Sequence, residues 1–364
     1  MRILILANSR YKGGASGGDK IYESFVKYWA IKCDVKTLEH LDYKPFTLCY
    51  IHRILEGIRC ALFDNNKYEF VYSSSDFLPD VIPALIYKMK GNRWVAGFFL
   101  NAFKENKIHY FTQKFVKSAI NKWADVVILT NPTMYNIFKK KNKTWINGGI
   151  DTDLAYVKNS NKKYDAVFCG RIHPTKGISI LIKIWHYVRH VRPDAKLAII
   201  GDGDLGIEYV NKLIRRMFGF NDSGITLLGY MGDERYDIYR QSKIVLYPTP
   251  MKYDHFSMAP VEAMACGCPL VAFKTLTTMF YHDHLDMEKC YLADNEITFA
   301  EAIVTLIDGD WKLNVLETAE WAKQFDYKHQ SLDVLDNIRE ILVDENIDNG
   351  TPGNGGDGTV KCFV

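Results

Sequence analysis

The 364-residue chain has no apolar stretch that could cross a bilayer without carrying charges, which excludes a protein built of membrane-spanning helices. Its first apolar run, Ile3 to Ala7, is too short for the apolar core of a secretory signal, and no signal peptide is expected. Only two of the eight cysteines, Cys266 and Cys268, lie close together, and no Cys-x-x-Cys pair occurs. That argues against a disulfide framework and a structural zinc site, and for a reducing cytoplasm. Solenoid repeats and heptads are absent. Cys362 is third from the end, so no prenylation box is present. The glycine-containing loop Tyr11 to Asp19 fits neither Gly-x-Gly-x-x-Gly nor the Gly-Lys-Ser/Thr ending of a phosphate loop, which weakens dinucleotide and ATPase readings.

What is present fits a two-domain enzyme. Apolar residues make up 48% and charged residues 24%, ordinary for globular chains. The length allows about two domains, each with its own core. The net charge of +3 hides an asymmetry: residues 1–150 carry +11 and the remainder −8. One reading is that the basic half faces something anionic, such as a phospholipid surface or a charged acceptor. The other is that the two halves attract each other across a cleft.

Short apolar runs alternate with helical patterns throughout. In the first half the runs are Ile3–Ala7, Val35–Leu38, Phe70–Ser73, Trp94–Leu100 and Val126–Leu129. Helical patterns fall at Ile21–Ala30, Ile51–Phe63, Val81–Met89, Ile108–Trp123 and Thr133–Lys139. The strand pattern restarts at Ala166–Cys169, Lys196–Ile200, Ile225–Leu228, Ile244–Leu246 and Leu270–Phe273. Such alternation marks a parallel sheet covered on both faces, so the fold class is α/β with two Rossmann-like units in tandem. The expected boundaries are 1–150, 151–325, a helix over 326–343 and a tail over 344–364. Within that tail, Asp344–Thr359 is rich in Gly, Asn and Asp and is expected to be disordered. Helices are also predicted at Phe299–Ile307, Trp311–Gln324 and Leu332–Leu342.

Three segments carry chemistry. In the segment 247–272, Glu262 sits in an otherwise small and apolar helix, eight residues after Asp254. A carboxylate there needs a hydrogen-bonding partner, and a hydroxyl-rich ligand lying across the helix N-terminus would supply one. In Cys169-Gly170-Arg171 to Lys176-Gly177, two cations flank one loop at a strand's carboxyl end, where open α/β sheets bind ligands. Arg171 offers a fork of donors and Lys176 a point charge, so together they could clamp a diphosphate; the plainer alternative is two solvated loop charges. The loop Tyr11 to Asp19 contains Gly13, Gly14, Gly17 and Gly18 ahead of the first helix, which permits close backbone approach to an anion.

Together these pieces resemble the retaining GT-B glycosyltransferases of family 4, the glycosyl transferases group 1. The resemblance runs through most of the chain and is densest from Asp165 to Phe273. It comprises Cys-Gly-Arg…Lys-Gly, Ile-Gly-Asp-Gly at 200–203, Leu-Gly-Tyr-Met at 228–231, Tyr-Pro-Thr at 247–249 and the Asp254/Glu262 pair. Asn147-Gly148-Gly149-Ile150-Asp151 looks like the family's domain-linking Asn-Gly-Val-Asp. The resemblance implies two Rossmann-like domains facing each other across a cleft, with closure between them. It implies that Arg171 and Lys176 bind the donor diphosphate, that Glu262 accepts from the ribose hydroxyls, and that Asp254 bonds the sugar near the reacting carbon. Backbone N–H groups of Phe256, Ser257 and Met258 would hold phosphate and sugar. Gly17 and Gly18 would close over the diphosphate, and Tyr230 and Met231 would flank the base. It further implies retention of anomeric configuration, no metal and no cofactor, the leaving phosphate taking the acceptor's proton. The partners implied are a UDP- or GDP-linked sugar and a glycan, glycoprotein or lipid-linked acceptor, with no nucleic acid.

Two positions depart from the family. Asp254 stands where the family has Glu, one methylene longer. Asn101-Ala102-Phe103 replaces a His-Asp pair, so Asn101 can hydrogen-bond an acceptor but cannot act as acid or base. His109 lies nearby in sequence. Asp202-Gly203-Asp204 and Asp151-Thr152-Asp153 spell the Asp-x-Asp of metal-dependent transferases, but such triplets are also common in turns. The stretch Lys104–Trp123 places Ile108, Phe111, Phe115, Ala119 and Trp123 at helical steps among lysines. That is either a core-packed helix with solvated lysines or a face for an anionic membrane. Rival readings of the whole are a catalytically inactive sugar-nucleotide-binding module and a sugar-nucleotide epimerase.

Overall fold

The computed structural model describes residues 2–8, 17–39, 46–99, 107–130, 132–138, 141–146, 148–253, 257–275, 278, 290–309, 311–312 and 315–348. The chain divides into two compact units, Met1–Gly149 with the segment that begins at Tyr327, and Ile150–Asp326.

The first unit runs β1 (Arg2–Ala7), α1 (Gly17–Trp29), β2 (Asp34–Glu39), α2 (Phe46–Phe63), β3 (Phe70–Ser73), α3 (Leu78–Met89), β4 (Trp94–Phe98), α4 (Lys107–Trp123), β5 (Val126–Leu129) and β6 (Asn142–Trp145). Its six strands pair in parallel in the order β2-β1-β3-β4-β5-β6. Strands covered on both faces must be apolar on both, and β3, β4 and β5 are buried at every position. One face packs against Ala61 of α2, Val81 and Ala84 of α3, and Val116, Ala119 and Ile120 of α4.

The second unit runs β7 (Tyr164–Cys169), α5 (Ile178–Val191), β8 (Leu197–Ile200), α6 (Gly206–Phe218), β9 (Ile225–Gly229), α7 (Arg235–Arg240), β10 (Ser242–Tyr247), α8 (Met258–Ala265), β11 (Leu270–Phe273), β12 (Cys290–Ala293), α9 (Glu296–Ile307) and α10 (Val315–Ala322). Its six parallel strands lie in the order β12-β11-β10-β7-β8-β9. The chain lays down β7, β8 and β9 outward, then returns beside β7 with β10 and builds the other way. The switch point of this sheet therefore lies between β7 and β10.

The last helix, α11 (Tyr327–Asp348), belongs to the first unit. Val334, Leu335, Ile338 and Leu342 cover the second face of the first sheet together with Phe25 and Trp29 of α1. Trp29 stacks on Phe25 at 4.3 Å between ring centroids, and its indole N–H donates to the Ser331 carbonyl at 2.7 Å. Arg339 holds Glu69 through two bonds of 2.7 and 3.0 Å.

Several expectations need correction. The segments Asn142–Trp145 and Cys290–Ala293, not expected as strands, form edge strands, each paired on one side; the first is polar because an edge strand is open on one side. The stretch predicted as a helix over Thr133–Lys139 is a 3₁₀ segment, Pro132–Phe138. The predicted helix Trp311–Gln324 is broken, with α10 followed by a 3₁₀ turn at Lys323–Phe325. Helix α11 continues through Asp348, into the stretch expected to be disordered.

Candidate active site

In a doubly wound sheet, ligands bind at the carboxyl ends of the strands, in the crevice at the switch point. In the second unit that crevice is bordered by the loop after β7 and the loop after β10. Gly177 shows how closely these two segments approach. It takes the left-handed conformation, φ +72°, and a Cβ placed there would lie 2.0 Å from the Pro248 carbonyl oxygen. Only glycine can stand there. On the other flank, a Cβ at Gly203 would meet the Arg171 Cγ at 2.7 Å, so the loop after β8 presses on the stem of Arg171.

The β7 loop is built to hold its two cations in place. Ile172 N–H donates to the Asp202 carbonyl at 2.9 Å. His173 caps a 3₁₀ turn, Pro174–Lys176, by accepting from the Thr175 N–H at 3.3 Å. Arg171 is exposed and Lys176 half-buried. Burial, and then the charge of Arg171, push the Lys176 ammonium down to about 8, with Cys169 acting in the opposite direction. A half-buried ammonium whose charge is disfavoured by a neighbouring cation is what a bound anion would stabilise.

Helix α8 follows β10 and opens at Ser257, which sits at its N-cap without a side-chain capping bond. Ser257 and Met258 are half-buried, and Pro260, which has no N–H to leave unsatisfied, stands in the first turn. Glu262 is buried, and its partner is internal. Arg235 of α7 donates to both carboxylate oxygens, at 2.7 and 3.0 Å, and Tyr236 and Tyr239 add hydroxyls at 3.3 and 3.4 Å. Arg235 also donates to the Gly232 carbonyl at 2.7 Å and lies over the Tyr236 ring, 4.4 Å from its centroid. Burial works against the Arg235 charge, but the hydrogen bonds and charge of Glu262 prevail and its pKa is raised. Burial first, then neighbouring negative groups including Glu262, raise Tyr236 and Tyr239, so both remain donors. The expectation that Glu262 lacks a partner without a ligand is thus overturned: the sequence reading missed Arg235. The signal was the Arg235-Tyr236…Tyr239 cluster, an arginine and two hydroxyls on one short helix.

The remaining residues fall as follows. Tyr230, directly after β9, is 71% exposed, whereas Met231 packs partly into the core. Asp202 accepts from the Gly203 N–H at 2.7 Å, and Asp151 from the Asp153 N–H at 3.0 Å, as turn residues do. Gly17 and Gly18 form the first turn of α1, beyond β1 in the first unit, rather than part of the preceding loop. His109, on α4, faces Asp76 at 3.2 Å and stacks on Phe77 at 4.9 Å, and Gln113 donates to the same Asp76 oxygen at 2.6 Å. Asp76 follows β3, and Ser74 N–H donates to the Leu6 carbonyl of β1 at 3.0 Å. The first sheet changes direction between these two strands, so Gly17, Gly18 and Asp76 belong to its switch point. Asp254, Phe256, Asn101 and Asn147 lie outside the described residues, as do 11–16 of the glycine loop.

With its two doubly wound parallel sheets, the chain has the GT-B class of fold. It is similar to sucrose-phosphate synthase of Thermosynechococcus elongatus, with a TM-score of 0.74 at 16% identity over 94% of this chain and 99% of that one. It is likewise similar to Anabaena HepE, solved with UDP and glucose, with a TM-score of 0.69 at 18% identity over 93% of this chain and 100% of the other. Residues 163–309, which carry β7 to α9, match the family model described as glycosyl transferases group 1. Among characterised relatives, the lipopolysaccharide 1,2-N-acetylglucosaminetransferase of Salmonella typhimurium is 30% identical over 30% of this chain and 29% of that protein. The D-inositol 3-phosphate glycosyltransferase of Rhodococcus erythropolis is 26% identical over 50% of this chain and 42% of its own. The chain thus spans less than half the length of these relatives.

Proposed function

We propose that the protein is a retaining, metal-independent glycosyltransferase of family 4, transferring a sugar from a UDP- or GDP-linked donor to a hydroxyl of a glycan, glycoprotein or lipid-linked acceptor. The observation that supports this reading is the close approach of Gly177, beside Lys176, to Pro248 in the segment between β10 and α8, at the switch point of the second sheet. Breaking the bond between the anomeric carbon and the diphosphate leaves positive charge on the sugar and negative charge on the phosphate. Arg171 and Lys176 neutralise the latter, and loss of one such contact costs about 2.7–4 kcal/mol of transition-state stabilisation. The acceptor oxygen bonds the anomeric carbon on the face that the phosphate leaves, and a phosphate oxygen takes the acceptor's proton. No side-chain base is needed.

The nucleoside is assigned to Glu262, Tyr230 and Met231, and the phosphates and sugar to the Phe256, Ser257 and Met258 amides and to Asp254. A carboxylate has about four acceptor positions, and Arg235, Tyr236 and Tyr239 occupy those of Glu262. A ribose hydroxyl would replace one of the two long tyrosine bonds while Arg235 keeps the carboxylate in place. We assign Gly17 and Gly18 to the donor diphosphate and the acceptor to the first unit, near Asn101 and the His109–Asp76 pair, and place the enzyme in the cytoplasm.

The test is calorimetric titration of UDP, GDP and ADP into wild type and Lys176→Ala. One nucleotide should bind, and the substitution should weaken it at least tenfold, about the worth of a charge-assisted hydrogen bond. Product from the cognate donor should keep its anomeric configuration by NMR and form undiminished in chelator. Binding indifferent to Lys176 would overturn the assignment of this crevice.

A further inference from the structure

Helices α2, α3 and α4 form one layer on the first sheet, and their outward surface is unusually apolar. On α2, Ile51, Leu55 and Leu62 repeat at helical steps along the solvent side, with Phe63 beside them, each more than half exposed. On α4, Ile108, Phe111 and Phe115 do the same, and Met89 at the end of the intervening α3 is 82% exposed. The core is met by other residues of α4, namely Gln113, Val116, Ala119 and Ile120. Of the stripe read from the sequence, only Ala119 packs inward. So many large apolar side chains exposed on one helical layer point to an interaction site rather than a solvated face.

The charges along α4 have one sign. Helix α4 carries Lys107, Lys114, Lys117 and Lys122 and no carboxylate. Lys117 lies back over the Phe98 ring, whereas Lys107, Lys114 and Lys122 are exposed, Lys114 spanning the Tyr110 and Phe111 rings. Neighbouring carboxylates are engaged internally: Asp64 by Tyr68 and Tyr87, Glu69 by Arg339, Asp76 by Gln113, Asp80 by Ser75, and Asp125 by Lys88 and Arg93. Glu56 stands half-buried beside His52.

We propose that the outer face of α2, α3 and α4 docks on an anionic phospholipid surface. Leucine, isoleucine and phenylalanine enter the boundary between headgroups and acyl chains, and Lys107, Lys114 and Lys122 meet the phosphates. A second copy of this chain on the same patch would set lysine against lysine across a two-fold axis. No described helix is long and apolar enough to cross a membrane, which leaves attachment along the surface. The patch lies wholly in the first unit, so the experiment reads independently of the nucleotide-site assignment.

The experiment is co-sedimentation of the full chain with vesicles of phosphatidylcholine alone and of phosphatidylcholine mixed with phosphatidylglycerol. Binding should require the anionic lipid and fall with added salt. At about fivefold per lysine, Lys107→Glu/Lys114→Glu/Lys122→Glu should weaken it on the order of a hundredfold or more. Ile108→Asn/Phe111→Asn should abolish it with the thermal midpoint unchanged, and Leu55→Asn provides a second substitution on a separate helix. Equal binding to neutral vesicles, no binding, or binding that survives both sets of substitutions would overturn the proposal. So would lipid-free dimers, seen by ultracentrifugation, that Ile108→Asn/Phe111→Asn dissociates.

Discussion

Glu262→Ala would leave the Arg235 guanidinium, its side chain only 18% exposed, without the carboxylate that takes two of its hydrogen bonds. Breaking a buried pair from one side costs about 3–5 kcal/mol, because a desolvated charge is left uncompensated. For a unit of this size, 1 kcal/mol shifts the midpoint by roughly 2–4 °C, so the variant should melt about 6–20 °C below wild type. Arg235→Ala should cost a similar amount, since Glu262 is then left with only the two long tyrosine bonds. The double variant should fall well short of the sum, because the two side chains share one interaction. The measurement is thermal unfolding by circular dichroism for all four proteins, with nucleotide affinity determined well below each midpoint. A Glu262→Ala protein that melts within about 2 °C of wild type would refute the reasoning. Full additivity in the double variant would do the same. Lost nucleotide binding in Glu262→Ala is therefore interpretable only beside Glu262→Gln, which keeps volume and some acceptor capacity.

Lys176 should behave oppositely. Its folded pKa, about 8, lies below its unfolded value, so the unfolded chain binds the extra proton between the two, and stability contributed by this residue rises with pH across that window. Lys176→Met should leave the thermal midpoint at neutral pH unchanged or raised, while nucleoside diphosphate binding to wild type should weaken above about pH 8, as the free protein loses the proton; calorimetry across that range checks both. Gly177→Ala forces a Cβ to within 2.0 Å of the Pro248 carbonyl and should destabilise by more than about 1 kcal/mol, read from denaturant midpoints. Trp29→Ala removes a fully buried ring and its bond to Ser331 and should cost about 3–5 kcal/mol, measured the same way.

The order of elements was legible in the chain because fully buried parallel strands must be apolar throughout, and β3, β4, β5 and β8 read that way. The Gly170-Arg171 to Lys176-Gly177 loop could also be read, since a strand end, two cations and a helix start are all local. The edge strand β6 was missed because open surroundings place little demand on its side chains. Tertiary structure alone decided Glu262: its partner lies on α7, brought alongside α8 only when the chain returns to place β10 next to β7. The same holds for α4, whose periodicity predicts an apolar stripe but not the direction it faces. Which side of a helix meets the sheet is set by packing against neighbours distant in sequence. Here the sheet takes Val116 and Ile120 and leaves Phe111 and Phe115 outside.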